Sequence, residues 1–316
     1  MGADGLPARL AEAPVPGRGK ATVVAAPEES GPGNWAGSPS AALHDGVVYL
    51  AYRVHRPVAL GRGGFNVLAR SADGVRFETF ALLAKERFGA ASLQRPALRR
   101  TPEGRWRLYV SAATPGSKHW RVDLLEAADP EGLADAPART VLPGDESTGV
   151  KDPVIRWTGT GWEAWVCCHP LDQPDAEDRM ITRYATSSDG VDWTWHGAAL
   201  APRPGAWDSR GARLTAVLTG PPGPLAYYDG RATAEENWEE RTGLAVPARG
   251  AGLDRLEAVG REPAAASEAG TGLRYLDLLA LPGGGLRLYY EATRPDGTHE
   301  LRTEVWARGR PDSRSR

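Results

Sequence analysis

Acidic, basic and aromatic side chains recur at the edges of short apolar runs in this sequence. Ahead of the runs, or at their starts, stand Trp35 and Ser38, Arg95, Asp152, Trp207 and Asp208, and Tyr275. At the ends of the runs that follow stand Arg53 and His55, His169, Asp229 and Arg231, and Glu291. Carboxylates and guanidiniums gathered at one point shift one another's proton affinities, and such clusters mark functional sites. Polar groups at strand ends also serve simply to satisfy loop backbones, so the grouping matters more than any single residue. Trp35, Trp207 and Tyr228 offer flat apolar faces suited to the C–H surface of a sugar, and Arg beside Asp makes paired hydrogen bonds to hydroxyls. Whether these residues meet depends on the elements that carry them.

Those elements repeat. An apolar run, a Gly-containing turn and an aromatic-rich run recur at 37–53, 94–112, 151–168, 210–230 and 274–292. With Ser38, Arg95, Asp152, Gly211 and Tyr275 as equivalent points, the spacings are 57, 57, 59 and 64 residues. A second half recurs too, at 66–78, 121–133, 181–195, 243–257 and 300–306, and SADGVRF and SSDGVDW within it are near copies running through an Asp-Gly corner. Each repeat thus supplies about four strands with little helical periodicity between them, the signature of a propeller blade. The fold predicted is all-β: a five-bladed β-propeller of four-stranded antiparallel blades around a central funnel, where the first strand of each blade lines the channel. Residues 19–307 form that single domain, with flexible segments expected at 1–18 and 308–316. ATVVAA (21–26) is the candidate to complete the last blade, which would remove an open sheet edge.

Composition narrows the partners. Among 316 residues, 40 acidic side chains oppose 38 basic ones, which gives no general attraction for nucleic acid or for an anionic membrane. The 38 glycines and 26 prolines fit many short elements and turns. No stretch approaches the ~18 apolar residues of a membrane span. The N-terminus lacks the apolar block of a secretory signal, and Leu6 replaces the Ser or Thr preferred for myristoylation, so a cytoplasmic protein is expected. Adjacent Cys167 and Cys168 are expected as reduced, partly buried thiols, and no Cys/His spacing suggests a zinc site. Trp106, Trp157, Trp162 and Trp165 read as packing between blades.

The five-unit pattern, the motif KDPVI at 151–155 and the run YYDGRATAEENWEERTGLAV at 227–246 resemble the five-bladed propeller superfamily of glycoside hydrolases. That superfamily includes families 32 and 68 (invertases and levansucrases), family 43 (arabinanases and xylosidases), and families 117 and 130. The resemblance covers roughly residues 30–306. It implies a small carbohydrate or glycoside as partner and catalytic carboxylates at the funnel mouth, one protonating the leaving oxygen and another acting as nucleophile or base. Asp152 matches the superfamily's Asp-Pro motif, and Asp208, Asp229 and Glu291 stand where an acid belongs. Trp35, Ser38, Arg53, His55, Arg95, His169, Trp207, Arg231 and Tyr275 would hold the substrate, with Lys151, Arg95 and Arg231 keeping neighbouring carboxylates ionised. No cofactor is implied, although a calcium ion in the channel would fit the fold.

One position departs from the pattern. Where these enzymes open the first blade with Asp-Pro, this chain has Ser38-Pro39, and serine cannot be the base. Either another carboxylate has taken that role, the chemistry has been recruited to another reaction in secondary metabolism, or the protein binds sugar without cleaving it. Family 130 works with one dominant acid and a basic cluster for phosphate, a style compatible with Arg53, His55, Arg95, His169 and Arg231. The two Ser-x-Asp-Gly stretches resemble the Asp-box of sialidases, but they read here as structural corners away from the channel.

Overall fold

The computed structural model describes residues 10–220, 223–268 and 270–307. Thr22–Ala25 (β1) precedes Trp35–His44 (β2), Val47–His55 (β3), Gly63–Ser71 (β4) and Glu78–Ala84 (β5). Strands β2 to β5 pair in order, each antiparallel to the next. The β2–β3 hairpin turns on Asp45 and Gly46 at φ 49° and 77°, the double left-handed turn that Asp-Gly favours. The same antiparallel run returns in Leu93–Arg100 (β6), Trp106–Ala113 (β7), Trp120–Ala127 (β8) and Arg139–Leu142 (β9). It returns again in Thr148–Trp157 (β10), Trp162–Pro170 (β11), Ile181–Ser187 (β12) and Thr194–Leu200 (β13). Gly211–Leu218 (β14), Leu225–Arg231 (β15), Arg241–Pro247 (β16) and Leu256–Val259 (β17) follow, then Leu273–Ala280 (β18), Leu286–Thr293 (β19) and His299–Trp306 (β20).

The final run is completed from the other end of the chain. β1 pairs antiparallel with β20, Thr22 opposite Thr303, as expected for residues 21–26. Single parallel pairs, Arg241 with Leu273 and Trp35 with His299, join three of the antiparallel runs into a twelve-stranded sheet beside two separate four-stranded sheets. The result is all-β and built from four-stranded sheets.

The apolar core lies between consecutive runs. Ala51 and Leu68 pack with Leu98 and Leu108; Ala97 and Tyr109 with Ile155 and Val166; Trp165 and Tyr184 with Leu214 and Tyr228. Ala216 and Tyr227 meet Leu276 and Leu288, and Leu279 and Tyr289 close back onto Ala41 and Leu50. Trp106, Trp162 and Trp165 are buried in these seams, with Trp157 packed beside Trp162. Cys167 and Cys168 are free and buried.

Residues 10–18 do not match the mobile segment expected of them. Ala13 and Val15 bury against the seam containing Leu273 and Tyr290, and the amides of Gly17 and Gly19 donate to Glu304 Oε1 and Oε2 at 2.8 Å each. Apolar side chains between the prolines find a greasy seam, which composition alone hides. The expectations for 1–9 and 308–316 lie outside the described residues.

The Asp-Gly corners are structural. In each, the serine hydroxyl of Ser71 or Ser187 accepts the glycine amide at 2.8 Å, and the carboxylate of Asp73 or Asp189 accepts two further amides at 2.8–3.0 Å. Each corner is then tied to a neighbouring run, where Tyr289 donates to the Gly74 carbonyl at 2.7 Å and Tyr109 to the Gly190 carbonyl at 2.8 Å.

The first strand of each run is bulged. Register shifts fall at Gly37/Ser40, Leu93/Pro96, Lys151/Val154, Leu214/Ala216 and Arg274/Asp277. Prolines 39 and 153 occupy bulge positions that need no amide donor. Ser38, Asp152 and Tyr275 share left-handed φ values of 54°, 52° and 55° at these bulges. The equivalences read from spacing are corrected by this register: Gln94, not Arg95, is the counterpart of Ser38, and Gly211 lies ahead of the fourth bulge.

Candidate functional site

A cavity of about 360 Å³ lies where the first strands begin and the second strands end. First strands supply Gln94, Lys151, Arg213, Arg274 and Tyr275; second strands supply Arg53, His169 and Arg231. Loops add Arg62, Lys118, Arg210, Asp178 and Trp238. The wall carries eight Arg or Lys side chains against four carboxylates, Asp175, Glu177, Asp178 and Glu240. A chain of nearly balanced charge therefore concentrates cations at one place, which favours an anionic group inside.

Beneath this wall sits a layer of carboxylates. Asp152, Asp229 and Glu291 are each 0% exposed, and none lines the cavity. Asp152 accepts from the Arg95 amide at 3.2 Å, from Arg213 Nη1 at 3.3 Å and from the Tyr275 hydroxyl at 3.3 Å. Asp229 accepts from Arg213 Nη2 at 2.7 Å and from the Tyr275 amide at 3.1 Å. Glu291 holds Arg53 Nη2 at 3.0 Å, Arg274 Nη2 at 2.8 Å and His299 Nδ1 at 2.7 Å. Gly37 admits Glu291 under β2, since a Cβ there would lie 2.0 Å from Glu291 Oε2. The carboxylates read from sequence as catalytic thus fix the arginines that face the cavity.

Their electrostatics differ. Burial pushes Asp229 up to about 6, and Arg213 only partly offsets it. Burial would also raise Glu291, but Arg274 and Arg53 outweigh it and hold the carboxyl well below the usual range. Glu240, on the cavity wall, bonds Arg231 Nη1 and Arg274 Nη1 at 2.5 Å each, and these cations with Arg213 overcome burial to keep it ionised. His169 lines the cavity; burial, then Lys151, Arg231 and Arg213, hold it neutral, with Nδ1 on the Glu177 carbonyl at 3.0 Å. Burial also lowers Lys151 despite nearby Asp152; its ammonium lies 4.9 Å over the Trp120 ring and has no hydrogen-bond acceptor among the described residues. Arg53, Arg62 and Arg231 keep buried N–H groups without partners.

Of the remaining sequence candidates, Arg53, His169, Arg231 and Tyr275 meet at the cavity. Tyr275 accepts from Arg213 Nη1 at 2.8 Å, with that guanidinium stacked 3.8 Å from its ring. Asp208 and Trp207 do not reach it: Asp208 bonds Arg203 Nε at 2.9 Å and Tyr228 Oη at 2.7 Å, and Trp207 stacks on Tyr228 in an apolar seam. Arg95 is buried beside Asp277, its side chain turned from the cavity. Ser38 is buried with an unpartnered hydroxyl. Trp35 stacks with His55 and His299 at 5.0 and 4.8 Å and does not line this cavity. Sequence reasoning missed Arg62, Arg213, Glu240, Trp120 and Trp238 as lining residues. Glu240 and Trp238 lie in the 227–246 run that carried the resemblance, and Arg213 was hidden by the misplaced fourth equivalence. Among the described residues no three His, Cys, Asp or Glu side chains are arranged to hold a metal, and no helix is long and apolar enough to cross a membrane.

No family model and no curated protein matches this chain. Solved structures do. A glycosyl hydrolase from Bacteroides ovatus is 15% identical with a TM-score of 0.64, over 93% of this chain and 95% of that one. An α-L-arabinofuranosidase from Lactobacillus brevis is 16% identical at 0.63, over 85% and 90%. A β-1,2-mannobiose phosphorylase from Listeria innocua, in complex with β-1,2-mannobiose, is 15% identical at 0.60, over 94% of each chain. This chain shares the fold of glycoside hydrolases and phosphorylases.

Proposed function

We propose that residues 19–307 form a five-bladed β-propeller that cleaves a glycosidic bond in the cation-lined cavity, with inorganic phosphate as the attacking group. The reading rests on one observation: eight Arg or Lys side chains, Arg53, Arg62, Lys151 and Arg231 among them, line the cavity, while Asp152, Asp229 and Glu291 are locked below it. A two-carboxylate hydrolase needs both groups at the scissile bond. A phosphate monoanion needs only cations to hold it, because it brings both a nucleophilic oxygen and a proton. Its oxygen bonds to the anomeric carbon, the glycosidic C–O bond breaks, and the phosphate proton passes to the leaving oxygen, giving a sugar phosphate and a free alcohol. Ionised Glu240 stabilises the positive charge that develops at the anomeric carbon. Five seams of packed side chains, the last returning to the first strands, support the ring count.

The test is a panel of glycosides, β-1,2-linked mannosides and arabinofuranosides included, assayed with and without phosphate. Sugar phosphate should form only with phosphate present, and Glu240→Gln should lower kcat by about 10²–10³-fold, as for loss of one transition-state contact. Equal cleavage in phosphate-free buffer overturns the mechanism. The buried, unpartnered Ser38 favours a second reading, sugar binding without cleavage, which calorimetry with an inactive panel would support.

A further inference from the structure

A second cavity of about 280 Å³ opens beside the first, and Arg62 and Trp238 belong to the walls of both. Trp35, Val58, Pro32 and Pro57 are its other apolar side chains, and His55, Arg56, Glu239 and His299 also line it. Two glycines bring its loops together: a Cβ on Gly33 would lie 2.8 Å from Pro57 Cα, and one on Gly297 would lie 2.9 Å from Pro32 Cγ. The chamber is therefore built by close backbone approach rather than left by loose packing. Trp238 stands between the cavities at a φ of 78°, rare for a bulky residue, held in a turn where Asn237 N–H donates to the Ala234 carbonyl at 3.0 Å.

Few polar groups around this chamber are open to a guest. Glu239 accepts from Thr293 Oγ1 and the Gly272 amide at 2.7 Å each and pairs with His299 Nε2 at 3.1 Å. His299 gives its other nitrogen to Glu291, and His55 Nε2 bonds the Leu93 carbonyl at 3.1 Å. Trp35 Nε1 and His55 Nδ1 have no partner but are buried within the wall, and Arg56 is its exposed cation. What remains for a guest is the tilted Trp35–Trp238 pair at 5.4 Å, the prolines and Val58, with Arg62 5.7 Å over Trp238. A second sugar ring would bring several hydroxyls with few partners, at about 1–3 kcal/mol for each left unpaired. An aromatic ring needs none and gains buried area and ring contacts.

We propose that this chamber binds the aromatic aglycone of a glycoside whose sugar occupies the cation-lined cavity, so that the substrates are aryl glycosides; this rests on the reading of that cavity as a glycoside site. The full chain is titrated with 2-naphthol as a free-ring probe, and phenyl and methyl glycosides of one sugar are compared by calorimetry. Naphthol should bind and quench tryptophan emission, and the phenyl glycoside should bind at least tenfold tighter than the methyl one. Trp238→Ala should remove both effects. Val58→Asn, at a side chain 63% exposed on the chamber lip, should weaken naphthol at least threefold and leave phosphate affinity within twofold. Equal affinity for phenyl and methyl glycosides, or naphthol binding indifferent to both substitutions, overturns the assignment. Naphthol binding that both variants weaken, in a protein that cleaves no glycoside, upholds the aromatic chamber and overturns only the reading of its neighbour.

Discussion

The molecule uses carboxylates in two regions, and the same chemical group does opposite things there. At the exposed corner, the amides of Arg76 and Val75 and the Ser71 hydroxyl hold the Asp73 carboxyl below its ordinary range. In the layer under the cavity, burial lifts Asp229 to about 6 although Arg213 grips it. Water access makes the difference. A solvated carboxylate loses little by accepting backbone amides, so it organises a turn. A buried one must be balanced by a cation, so it ties distant arginines into a fixed array.

The largest break in this comparison should come from Glu291→Gln. It leaves Arg53 and Arg274 without their shared anion, and loss of one partner in a buried pair costs about 3–5 kcal/mol. Denaturant unfolding measures it; a loss under about 1 kcal/mol would mean the layer is not what holds these arginines.

Asp229→Asn should show itself in pH dependence. Because the folded pKa is raised, the stability contributed by this group is full below about 4 and is lost as pH rises through about 6. The variant lacks that loss, so relative to the native chain it should gain up to about 3 kcal/mol between pH 4 and 7, on top of a constant penalty for unpairing Arg213. Glu291 and Glu240 have the opposite sign, since their lowered values cost stability only as pH falls below the usual carboxylate range. Parallel melting curves across that window would contradict the raised Asp229.

The smallest effect belongs to the corners. Tyr289→Phe and Tyr109→Phe each remove one hydrogen bond to a turn carbonyl, worth about 1 kcal/mol apiece. The two corners are separate, so the double variant should be additive within about 0.5 kcal/mol by chemical unfolding. Strong coupling would show that the corners communicate through the buried layer.

The strands, the Asp-Gly corners and the strand from 21–26 were legible because each is written in local order: alternation, turn residues, a repeat near 57 residues. Arg53, His169, Arg231 and Tyr275, named from their places at strand ends, do meet at one cavity, because those strand ends converge there. Asp208 misled because a loop carboxylate one residue from Trp207 reads the same whether it faces a cavity or, as here, Arg203 and Tyr228. Arg213 was missed because the bulge between Leu214 and Ala216 differs from the others and spacing does not reveal it.

Composition and periodicity by themselves determined an all-β chain of repeated four-stranded units, because turn chemistry and alternation act over a few residues. Only the tertiary structure decided which charges face the cavity and which lie beneath it. Asp152 and Asp229 are 77 residues apart in sequence and share one guanidinium, that of Arg213. Burial and pairing set whether a carboxylate reacts or supports, and both are properties of packed neighbours rather than of sequence order.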